Sequence, residues 1–158
     1  MNNLRAIAPQ KLFVSQAIIT HSASMCLMQA AIRHAEQLGI KINVAVVDST
    51  GTLVGFLRVP GSFSVSSEMA CRKARSAAGL GFDAETAESI LELENARVRE
   101  AMLLHPDFTL VRGGLPVYVQ GELIGAVGVS GGTEAQDDAC VKAALAAVLN
   151  LQGTNENE

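Results

Sequence analysis

The sequence predicts an α/β (α+β) fold, a three-layer α/β/α sandwich built on five mostly antiparallel strands. Three observations carry this reading. Two hairpin patterns, KINVAVVDSTGTLVGFLR and LPVYVQGELIGAVGVS, supply four strands, and the short run FTLV supplies a fifth. The strands of the first hairpin are almost continuously apolar, as expected of a sheet covered on both faces. Segments with helical spacing of apolar residues stand before, between and after the hairpins and can form both covers.

The first helix is predicted from Pro9 to Leu38. Val14, Ile18, His21, Met25, Met28, Ile32 and Ala35 recur there at alternating steps of four and three, and Gly39 stops the pattern. The first hairpin turns at Asp48-Ser49-Thr50-Gly51, where Asp at the first position and Gly at the fourth suit a type I turn with a glycine bulge. Residues 64–80 follow as a helix whose Ser66, Ala70, Ala74 and Ala77 make a face of small residues, able to approach another backbone closely. Its other side carries Arg72 and Arg75, with Lys73 beside the small face. Another helix is predicted after Phe82, capped by Asp83 and running to Leu104, where His105-Pro106 ends it. The strand FTLV leads through Arg112-Gly113-Gly114 into the second hairpin, whose tip is Gln120-Gly121. In its last strand Ile124, Ala126 and Gly128 share one face, so something packs close to the main chain there. A helix from Glu134 to about Leu151 closes a single domain with its core at 8–151, and residues 152–158 are expected to be a disordered tail.

Composition narrows the function. Apolar residues make up 49% of the 158 residues and charged residues only 18%, more apolar surface than one small globule hides, so a homo-oligomer is expected. The net charge of -4, with no Trp, one Tyr and no cluster of Lys and Arg interleaved with aromatics, argues against nucleic acid. The greasiest helical stretch is interrupted by Gln16, His21 and several serines, which argues against a membrane span. Cys26, Cys71 and Cys140 are widely spaced with no CxxC pair, as befits free thiols in a cytoplasmic protein.

The segment GVSGGTEAQDD invites comparison with phosphate-binding loops. No Lys follows its glycines as a P-loop requires, and Gly128, Gly131 and Gly132 do not have dinucleotide-fingerprint spacing. It reads instead as a helix start: Thr133 caps, Gln136 returns the bond, and Glu134, Asp137 and Asp138 oppose the positive helix end. Those carboxylates would repel a phosphate. The metalloprotease signature HExxH does not occur.

Taken together, VVDSTGTLVGFLR, SSEMACRKARSAAG and GGLPVYVQGELIGAVGVSGGTEAQDDA resemble the family that contains GlcG, the haem-binding protein HbpS and the C-terminal domain of PduO. The resemblance covers residues 8–150 in order. It implies a profilin-like sandwich, symmetric assemblies that are often octamers, and haem binding, with haem degradation in some members. Matching positions are Asp48, Gly51, Arg58, Ser66, Lys73, Gly113, Gly114, Ser130, Gly131, Gly132 and Asp137. Arg58 and Lys73, and also Arg112, are cations suited to a carboxylate such as a haem propionate. Ser130, Gly131 and Gly132 are the loop residues the resemblance would place at a cofactor.

For iron, the resemblance directs attention to the three histidines. His21 lies on the apolar stripe with Met25 and Met28 one and two turns away, and is the foremost axial candidate. His34 flanks the stripe and His105 ends a helix. Two other functions fit the same chain: an accessory protein of glycolate or diol utilisation without catalysis of its own, and an enzyme holding a small carboxylate through Arg58, Lys73 or Arg112.

Overall fold

The computed structural model describes residues 11–155, with side chains as far as Leu149. The order of elements is α1 (His21–Gln37), β1 (Asn43–Asp48), β2 (Leu53–Arg58), α2 (Val65–Leu80), α3 (Ala84–Glu92), α4 (Ala96–Leu103), β3 (Gly114–Val119), β4 (Glu122–Ser130) and α5 (Glu134–Asn155). The fold is mixed α+β. Four strands, not five, form one sheet in the order β2-β1-β4-β3, every neighbouring pair antiparallel.

The strand missing from the expected five is FTLV. At Thr109 the main chain is satisfied elsewhere: its N–H donates to Ser76 Oγ of α2, and the same hydroxyl donates to the Thr109 carbonyl at 3.3 Å. With those groups already partnered by a helix side chain, the segment has no need of a sheet ladder. Phe108 turns instead into a small apolar cluster with Ala87 and Leu91.

The first helix begins at His21, later than the expected Pro9, a residue outside the described ones. Two contacts hold the preceding segment extended. The Ile19 N–H donates to the Ile124 carbonyl at 2.8 Å, and Ser49 Oγ donates to the Ala17 carbonyl at 2.8 Å. Thr20 then caps the helix by accepting from the Ala23 N–H. Val14 and Ile18, which continue the helical spacing, are therefore exposed. The single helix expected over 83–104 is two: α3 ends at Leu93 and Asn95, in extended conformation, opens α4. The closing helix runs past Leu151 to Asn155; the rest of the expected tail lies outside the described residues.

The two faces of the sheet are packed differently. On one, Val44, Val46, Val127 and Val129 meet Leu27, Ala31 and Ala35 of α1 and Cys140, Val141 and Ala144 of α5. On the other, Ala45, Val47 and Ala126 meet Ala70, Ala74 and Ala77 of α2. Glycine decides how near α2 comes. A Cβ at Gly128 would strike the Ala70 carbonyl and lie 2.6 Å from the Ala74 nitrogen, and one at Gly114 would strike the Lys73 carbonyl. The small face of α2 and the small residues of β4, both visible in the sequence, are thus two sides of one contact.

Candidate functional site

Lys73 lies on α2 where that helix crosses the ends of β3 and β4, and it is 2% exposed. Its Nζ donates to Asp137 Oδ2 at 2.7 Å and to the Val129 carbonyl at 2.9 Å. Asp137, 3% exposed, also accepts from the Gly132 N–H through Oδ1 at 2.9 Å. Burial pushes the Asp137 carboxyl above the usual carboxylate range, against the lowering effect of Lys73 and the loop amides. Gly113 covers the pair: a Cβ there would meet both Asp137 Cβ and Lys73 Nζ. The 112–114 and 130–133 loops therefore close over an internal ion pair.

Thr133 and Gln136 exchange hydrogen bonds at the start of α5, the capping box read from the sequence, while Asp137 turns inward to the lysine. Gly131 packs on Lys41 and Ile42. Ser130 is buried at the end of β4, opposite Asn43. Of the three cations, Lys73 is engaged internally. Arg58 is exposed at the end of β2, its Nη2 donating to the Ser62 carbonyl at 2.9 Å. Arg112 is half-buried, 3.5 Å from Glu85, beside a hollow of only about 10 Å³. That volume holds one water.

The histidines separate clearly. His21 is exposed in the first turn of α1, with Ile18 and Met25 on either side at 55% and 53% exposure. Met28, by contrast, is buried and reaches Gly55 of β2. His105, exposed beyond the end of α4, accepts from the Asp107 N–H through Nδ1 at 3.1 Å. His34 is half-buried near the end of α1. The structure does not bring Arg58, Arg112 and His21 into one pocket: they sit on β2, before β3 and at the start of α1. Among the described residues, no group of three or more His, Cys, Asp or Glu is placed to hold a metal ion. No described helix is long and apolar enough to cross a membrane.

The model of the family described as "Haem degrading protein HbpS-like" matches residues 19–146. The chain belongs to the HbpS-like family. Its curated relatives include the corrinoid adenosyltransferase PduO of Salmonella typhimurium, 31% identical over 77% of this chain; the match takes in 36% of PduO. Protein GlcG of Escherichia coli K12 is 35% identical over 73% of this chain and 84% of GlcG. Among solved structures, the complex of PduOC with haem superposes with a TM-score of 0.75 at 29% identity, covering 83% of this chain and 95% of that one.

One feature of this HbpS-like chain escaped sequence reasoning. Between α3 and α4 lies an apolar hollow of about 270 Å³, lined by Phe82, Ile90, Leu91, Val98, Met102 and Phe108. Its signal in the sequence was the break at Leu93-Glu94-Asn95, which splits one apparent amphipathic helix into two and opens the space between them.

Proposed function

We propose that the chain binds haem on the outer flank of α1, with the His21 imidazole as axial ligand. The observation that carries this reading is the placement of His21, an accessible imidazole set between exposed apolar side chains. Imidazole is a nitrogen donor that haem iron accepts, and Ile18 and Met25 suit the face of a macrocycle, so these residues fit the group. The haem bound by PduOC, a structure of the same fold, supports haem as the ligand. Arg58 and Arg112 lie apart from His21 and give this site no propionate partner, and Lys73 serves the fold by its pairing with Asp137. Ser130, Gly131 and Gly132 act through the loop that Asp137 holds. The profilin-like layering, a homo-oligomer with the octamer as its implied size, and a cytoplasmic setting belong to the same proposal. Near-complete exposure of Leu12, Phe13 and Leu93 supports assembly.

Bound haem would supply redox-active iron; the chain's own part is to hold it and place apolar side chains against the ring. Titrating the apo-protein with haemin should give a saturable, sharpened Soret band that His21→Ala alters. Absence of a stoichiometric band refutes the reading. Haem breakdown, proposed on the family's description, is tested separately: a Soret band stable to reductant and oxygen would refute breakdown and leave binding intact.

A further inference from the structure

Two apolar features of the chain have no cover. One is the segment Leu12-Phe13-Val14, whose side chains are 88%, 81% and 84% exposed. The other is the hollow between α3 and α4, floored by Leu91 and Phe108 and rimmed by Ile90, Val98 and Glu94. At about 270 Å³ it falls just below the range of small-molecule pockets. That volume accepts an aromatic side chain. Charge points the same way at one place: Glu94 is the charged residue lining the hollow, and Lys11 directly precedes the exposed apolar segment. A single carboxylate at the edge of an apolar floor matches a cation followed by apolar anchors.

The segment is also partly preorganised. Ala17 and Ile19 are tied to Ser49 and Ile124, so Phe13 lies only four residues from a fixed point, a reach of at most about 14 Å. A short leash of this kind limits the entropy lost on docking.

We propose that Leu12–Val14 of one copy docks in the α3–α4 groove of a second copy, Phe13 entering the hollow and Lys11 meeting Glu94, with the reverse contact made by the partner. Such a reciprocal exchange is closed and self-complementary. It rests on the oligomer reading above, and is independent of haem.

Sedimentation velocity of the full chain across a concentration series tests it, with Phe13→Asp and Ile90→Asp as variants. Ile90 is 45% exposed, so the second change spares the fold, which circular dichroism verifies. Each variant removes both copies of its contact in the reciprocal pair and should raise the subunit dissociation constant roughly a hundredfold or more. Lys11→Glu and Glu94→Lys should each weaken assembly about two- to fivefold, and together restore it. Mixing Phe13→Cys chains with Ile90→Cys chains under oxidation should yield a disulfide joining the two. An oligomer of unchanged strength in both Asp variants overturns the arm contact and leaves the oligomer standing. A wild type that is monomeric throughout overturns both. In a Phe13→Cys/Ile90→Cys double variant, a disulfide confined within one chain would show the arm folding onto its own groove and overturn the second-copy assignment.

Discussion

Replacing Asp137 by Ala is the most direct challenge to the account of Lys73. Both partners are almost fully buried, and Asp137 accepts two hydrogen bonds, from Lys73 Nζ at 2.7 Å and from the Gly132 N–H at 2.9 Å. Removing the carboxylate strands an ammonium inside the protein with only the Val129 carbonyl for company. Loss of one member of a buried pair costs about 3–5 kcal/mol, and for a chain of this size that lowers Tm by roughly 6–20 °C. Lys73→Met should cost a similar amount. The double variant Lys73→Met/Asp137→Leu should cost only about 1–2 kcal/mol, mainly the acceptor lost to Gly132, because two apolar side chains need no partner. Urea unfolding followed by circular dichroism gives all three values, and the cycle gives the coupling between the residues. If Asp137→Ala costs less than about 1 kcal/mol, the pair behaves like a surface pair and water reaches Lys73. The reasoning would then be wrong.

Gly128→Ala should destabilise by about 1–3 kcal/mol, since its methyl group would press on the Ala70 carbonyl, whereas Gly79→Ala in the same α2 helix, with open space around it, should be neutral or stabilise by up to about 1 kcal/mol; thermal melts compare them. Asp83 caps α3 by accepting from the Thr86 N–H at 2.8 Å, and the Thr86 bonds hold its carboxyl below the usual range despite partial burial. Its stabilisation is therefore present above the unfolded carboxylate value and is lost as pH falls through the lower folded value. The penalty of Asp83→Ala, about 1 kcal/mol at neutral pH, should shrink on acidification, and a pH-independent penalty in urea titrations would contradict the assignment. Burial, with a smaller contribution from the Asp137 charge, pushes the Cys140 thiol up to about 11. At about pH 8 it should be the slowest of the three cysteines to alkylate in the native protein, measured by mass spectrometry of digests, and equal reactivity would place it outside the core.

Much of the fold was legible because its signals are local. Asp48 and Gly51 announce the first turn, Gln120-Gly121 the second, and Thr133 with Gln136 the start of α5; each is a bond within a few residues. The misreadings arise where a distant partner decides. Val14 and Ile18 have helical spacing, yet the strand end at Ile124 and the turn at Ser49 draw the segment before His21 into extended form. FTLV has strand composition, yet Ser76 takes its main-chain bonds. Lys73 looked like a cation awaiting a ligand because its partner lies 64 residues away. His21 shows the opposite effect: its place on a helical stripe suggested burial, and the late start of α1 sets it at the surface.

The contrast between the two sides of the sheet governs how the chain can change over generations. Where valines meet α1 and α5, volume lost at one position can be regained at a neighbour, so that layer can drift by paired exchanges. Beneath α2 the backbones themselves touch at positions 114 and 128, and a side chain there has nothing to trade against. Those two sites admit hydrogen alone for as long as the helix keeps its seat.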